Sequence, residues 1–158
     1  MRASLLVLTV LSLCAAPAMA YERMVCKFSD GNLVFEAKAV LVRGRGERFE
    51  GFIGRLEIRS KAVPAEFRSW ELSTEHLTQH WLYGGNLKLR IYQERPALGL
   101  IGHVELIVQA KLVDRRRSPR HEWHYLGDYA LGAHPMWEEG YSEVTGLVAS
   151  GTAECTFY

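Results

Sequence analysis

The stretch Val104-Glu105-Leu106-Ile107-Val108-Gln109-Ala110-Lys111-Leu112 places Val104, Leu106, Val108, Ala110 and Leu112 on one side of an extended chain. Glu105, Gln109 and Lys111 fall on the other side. A period of two is the mark of a β-strand with one buried face, because successive side chains point to opposite sides of a sheet. The same alternation runs through Leu87-Lys88-Leu89-Arg90-Ile91 and Gly54-Arg55-Leu56-Glu57-Ile58-Arg59. It also runs through Leu33-Val34-Phe35-Glu36-Ala37-Lys38-Ala39. Further along, Trp123, Tyr125 and Tyr129 share one face and read as core filling.

The turns between these runs agree. Asp30-Gly31-Asn32 and Gly84-Gly85-Asn86 supply residues that tolerate the positive φ of tight hairpins. Gly51 breaks the phase between Phe49 and Leu56, as a bulge does. The expected strands are 22–29, 32–43, 48–60, 77–83, 86–93, 102–114, 122–131 and 143–157. Between them, 61–76 is read as a short helix or irregular crossover beginning near Pro64, with a strand over Arg68–Leu72 as the alternative. The fold class is therefore all-β, an antiparallel barrel or two-sheet sandwich of about eight or nine strands, with at most a short helix near 64–76. Periodicity alone does not separate barrel from sandwich.

The ends of the chain bear on compartment. Met1-Arg2, the apolar run Leu5–Ala16 and Ala18-Met19-Ala20 have the layout of a signal peptide cleaved after Ala20. Of 158 residues, 158 − 20 = 138 remain as a single β-rich domain, 21–158. The apolar run is too short for a stable membrane span, which needs roughly 20 residues. Removing the signal also removes Cys14 and leaves Cys26 and Cys155, which can pair in one way only. The protein is accordingly expected to be periplasmic or secreted, stapled by a Cys26–Cys155 disulfide.

Charge narrows the function classes. Lys plus Arg total 19 and Asp plus Glu 18, and losing Arg2 brings the mature balance to 18 − 18 = 0. A neutral domain lacks the basic surface that nucleic acid requires, so nucleic acid is not an expected partner. No Gly-x-Ser-x-Gly elbow, no phosphate-binding Gly-rich loop and no free mature cysteine is present, and no cofactor is implied. Of the mature aspartates, Asp30 belongs to a turn and Asp114 opens a loop, leaving Asp128 unexplained. Neither His76 and His80 nor His121 and His124 have a spacing that brings two rings together on a strand.

Basic loops are the more specific signal. Arg43, Arg45 and Arg48 surround one hairpin turn, and Arg115, Arg116, Arg117 and Arg120 surround another. Concentrated guanidinium groups grip carboxylate or phosphate in a forked geometry. If 61–76 adds no full strand, counting chain reversals puts both loops at one end; a strand there would separate them. His134-Pro135-Met136-Trp137-Glu138-Glu139-Gly140 reads as a long connection presenting Trp137. These features point to a non-enzymatic exported domain that binds a macromolecular partner, a protein or an anionic envelope component. An inhibitor, an immunity protein or an envelope accessory protein would fit. Alternatives are a small-ligand carrier with an apolar barrel pocket, a small outer-membrane β-barrel, and a histidine-based metalloenzyme. Nothing in the sequence specifies an oligomeric state.

Overall fold

Alternating segments become strands wherever an apolar face finds a partner. The computed structural model describes residues 21–43, 47–97, 100–116, 122–137 and 146–158. They hold β1 (Tyr21–Ser29), β2 (Leu33–Val42), β3 (Arg48–Ile58), β4 (Ser69–Leu72), β5 (Leu77–Tyr83), β6 (Asn86–Ala97), β7 (Leu100–Arg116), β8 (Glu122–Trp137) and β9 (Leu147–Phe157). All nine belong to one curled sheet, a half-barrel, in the order β4-β3-β2-β1-β9-β8-β7-β6-β5. Of the two expected architectures, the chain thus forms a single rolled sheet rather than two stacked ones.

The stretch 61–76 combines both readings. A 3-10 turn over Ala65–Phe67 precedes the short strand β4, and a second one, Thr74–His76, follows it. The preference for a crossover without a strand is corrected here, because Trp70 and Leu72 point into the core and their backbone pairs with Leu56 and Gly54 of β3. The indole of Trp70 donates to the carbonyl of Phe67 at 2.5 Å, which satisfies its buried N–H. β4 and β5 occupy the first and ninth places in a sheet whose neighbours are all antiparallel, so they run in the same direction. The chain crosses from one edge of the sheet to the other without reversing. Thr74 Oγ1 donates to the Phe52 carbonyl, and the Phe49 and His80 rings meet at 5.2 Å, linking β3 to that crossing segment.

Glycines act where expected. Gly84 and Gly85 have φ of 59° and 78°, the left-handed values a two-residue hairpin needs. Gly51, φ 59°, sits at the bulge where the β2–β3 register shifts between Lys38 and Val40.

The inner face is filled by Trp70, Tyr125, Tyr129, Phe35, Phe52 and Phe67, and no charged or polar residue is buried among the described ones. The outer face carries Lys27, Lys38, Arg55, Lys88, Lys111 and Glu154, all exposed. None of the described helices is long and apolar enough to cross a membrane.

Strands β1 and β9 join the two halves of the sheet through a short ladder: Arg23 and Tyr158 exchange backbone hydrogen bonds, and three paired positions follow, the last being Cys26 opposite Cys155. Their sulfurs are bonded across 129 residues of sequence. Below that bridge the β1–β2 turn is clipped to the other half by polar contacts. Asp30 Oδ1 accepts from the Asn32 and Leu33 amides, Oδ2 accepts from the Tyr129 hydroxyl, and Asn32 Nδ2 donates to the Ser150 carbonyl.

Candidate functional site

One end of the half-barrel gathers the strand termini that matter. Following the ladder, Tyr21 pairs with Val42, Val42 with Arg48, Met24 with Phe157, Phe157 with Trp123, and Trp123 with Arg115. The end of β2, the start of β3, the end of β7 and the start of β8 therefore share one rim. The two arginine-bearing connections leave from the same side of the molecule, although 61–76 does contain a strand. The reversal count based on that strand failed because β4 leads into β5 without a turn back.

Arg43 has the most partners of the described cations on this rim. Its Nη2 lies 2.9 Å from Glu22 Oε2 and its Nη1 3.5 Å from Glu47 Oε1. Its guanidinium carbon stands 4.9 Å from the ring centroid of Trp123, a cation–π contact between the β2 and β8 ends. Arg43 Nε is buried without a hydrogen-bond partner among the described residues. Trp123 itself packs against the core beneath. Arg48 pairs with Glu50 at 2.7 Å, with both side chains largely exposed. Of the two arginines flanking the first turn, one is thus a brace across the rim and the other a neutralised surface pair.

The other expected residues divide. The backbone sets Arg115 opposite Trp123 and Arg116 opposite Glu122 at the same rim. Arg45, Arg117 and Arg120 lie outside the described residues. Trp137 is corrected: it is the last residue of β8, opposite Leu100 of β7, and not part of a loop. From Trp123 to Trp137 is 137 − 123 = 14 steps along one strand, roughly 45 Å at about 3.3 Å per residue. The tryptophan therefore does not join the arginine rim. Beyond the last described β8–β9 pair, Ala133 with Leu147, Pro135 continues β8 opposite Gly102 of β7.

The histidines have structural settings. His76 Nδ1 accepts from the Ser73 amide at 2.8 Å and caps the second 3-10 turn, while His80 packs on Phe49. His124 Nε2 is 3.7 Å from Glu122, and His121 is outside the described residues. His103 and His134 face each other across β7 and β8 with ring centroids 5.0 Å apart. Among the described residues no group of three or more His, Cys, Asp or Glu could hold a metal ion.

Asp30 and Tyr129 form the most perturbed titratable pair described. Burial pushes the Asp30 carboxyl up, but hydrogen bonds from Tyr129, Asn32 and Leu33, with Arg59 nearby, hold it below its ordinary value. Burial and the bond to Asp30 push the Tyr129 phenol up to about 12. The pair ties the β1–β2 turn to β8 and works as a clamp.

The chain matches no protein-family model, no curated protein and no solved structure. Its geometry carries the functional reading. Sequence reading passed over Trp81, Lys88, Gln109 and Lys111, which meet only through the register of four strands. Asp128, left unexplained above, joins them.

Proposed function

We propose that the protein is an exported, non-enzymatic β-domain that binds a macromolecular partner through the rim at which β2, β3, β7 and β8 terminate. The observation that supports this reading is the common end of the two arginine-bearing connections, with Arg43 stacked on Trp123 between them. In this reading Arg43 and Trp123 form a fixed platform, because the cation is already paired with Glu22 and Glu47. The connection that begins at Arg115 and Arg116 supplies the charge that meets the partner, whose contacting face is an acidic protein surface. An anionic envelope polymer would meet the same charge and is the alternative outcome of the test.

The other readings have less behind them. A ligand carrier needs interior room, whereas aromatic rings fill the inner face. A membrane barrel needs an apolar outer wall, whereas Lys27, Lys38, Lys88 and Lys111 stand on this one. A metalloenzyme needs a ligand cluster, and no described group provides it.

A photo-crosslinking residue placed at position 116, in protein exposed to envelope extract, should give one discrete protein adduct. The same residue at position 137 should not give it, and Arg115→Ala/Arg116→Ala should abolish it. Equal adducts from both ends, or adducts unaffected by the arginine replacements, would overturn the rim assignment. Adducts to glycan or lipid only would transfer the reading to an envelope polymer.

A further inference from the structure

The outer wall of β5–β8 carries an open groove of about 570 Å³, away from the rim, lined among others by Trp81, Asn86, Lys88, Gln109, Lys111 and Asp128. Two cross-strand rows build it. Trp81, Lys88, Gln109 and Asp128 stand opposite one another in sequence across the four strands, and Tyr83, Asn86, Lys111 and Leu126 form the adjacent row. Gly127 lies between the rows, where an added Cβ would strike the Gln109 carbonyl and Ala110 Cα. Its missing side chain lets β8 press close to β7 beneath the groove.

Several wall charges outside the groove are paired, Lys27 and Lys38 with Glu36, Arg55 with Glu57, Arg90 with Glu105. The side chains of Lys88, Gln109, Lys111 and Asp128 make no hydrogen bond or ion pair with other described residues. Beside them Trp81 and Tyr83 are 53% and 72% exposed, with rings nearly parallel, 7° apart in plane and 6.5 Å between centroids. Large exposed aromatics next to unsatisfied donors and acceptors suit a ligand that is flat and apolar on one side and rich in hydroxyls at its edge. A pyranose ring has that character, its C–H face lying on an aromatic plane and its hydroxyls reaching polar side chains.

The geometry also selects among occupants. The floor of the groove is formed by β6, β7 and β8, whose backbones are hydrogen-bonded on both sides at these positions, so an added peptide strand could pair only along the outer edge of β5 and not within the groove. Its volume falls within the roughly 300–1,000 Å³ of small-molecule sites, and its open shape admits a chain of several sugars. Two ammonium groups against one carboxylate favour an anionic ligand. We propose that this groove binds a short oligosaccharide bearing carboxylate groups, with Trp81 as the stacking platform, Lys88 and Lys111 meeting the carboxylates, and Asp128 and Gln109 meeting hydroxyls.

Titration of isotope-labelled mature domain with trigalacturonate, followed by NMR at the Trp81 indole N–H and, in every variant, at the backbone amides of Gln109 and Asp128, tests this. Saturable shifts are expected, with affinity falling about tenfold in Trp81→Ala and in Lys88→Ala/Lys111→Ala, whose melting temperatures stay unchanged. Neutral chitotriose should bind at least tenfold more weakly. Absence of a saturable shift at Trp81 overturns the proposal. Binding of citrate or hexaglutamate as tight as trigalacturonate also overturns it, since charge alone would then explain the site. Rim replacements should leave these shifts intact, which keeps this site separate from the partner-binding reading.

Discussion

The hydroxyl of Tyr129 donates to Asp30 Oδ2 at 2.5 Å, tying the β1–β2 turn to a strand 99 residues further along the chain. Gly151 lies under this bond, and its Cβ, if present, would meet the Tyr129 ring at 2.7 Å. Tyr129→Phe and Asp30→Asn should each cost about 1–2 kcal/mol, as loss of a hydrogen bond to a charged group does. Urea denaturation of both single variants and the double should show the combined cost falling short of the sum, because the pair acts as a unit.

The same bond makes stability depend on pH at both extremes. Asp30 is held below its ordinary value in the folded state, so its contribution is complete above the unfolded value near 3.9 and is lost as pH falls through the folded one. Tyr129 is raised from 10.0 to about 12, so its contribution is complete below about pH 10 and disappears as pH climbs through about 12. Denaturation midpoints measured across pH should show Asp30→Asn flattening the acid limb and Tyr129→Phe the alkaline one.

Reduction should loosen the short junction between β1 and β9. Three ladder pairs and the Arg23–Tyr158 backbone exchange hold it, and the Cys26–Cys155 bond is its covalent cross-link. Cys26→Ser/Cys155→Ser should lose up to about 5 kcal/mol by the chain-entropy account. Amide hydrogen exchange at Met24, Val25 and Thr156 should accelerate before exchange in β7.

Arg43 and Arg48 should differ sharply despite their closeness in sequence. Arg43→Ala removes a cation–π contact and a partly buried pair with Glu22, and should cost about 1–2 kcal/mol while altering Trp123 fluorescence. Arg48→Ala removes an exposed pair and should change stability by less than about 0.5 kcal/mol. Thermal melts of the two variants read the contrast directly.

Alternation in Val104–Leu112 and its counterparts specified strands and their inward faces, because a period of two has one physical meaning on a sheet. The pairing of Cys26 with Cys155 was legible by elimination. Two features were hidden for definite reasons. Trp137 looked loop-borne because His134–Gly140 reads as a long connection, whereas the register with β7 carries β8 on to Trp137 opposite Leu100. That the two arginine-bearing connections leave from one rim depended on whether the chain turns back between β4 and β5, a direction that no local pattern encodes. The Trp81–Lys88–Gln109–Asp128 row was invisible for a related reason: four residues distant in sequence become neighbours only once three registers are fixed.

The placing of β9 beside β1 at the centre of the sheet governs when this protein can finish folding. β1 finds β2 after a turn of three residues, but it gains its second neighbour, the 11-residue β9, only across 129 residues of sequence. Without β9 in place the sheet would have a bare edge at its middle, so closing that centre is a long-range step that the local hairpins cannot complete by themselves.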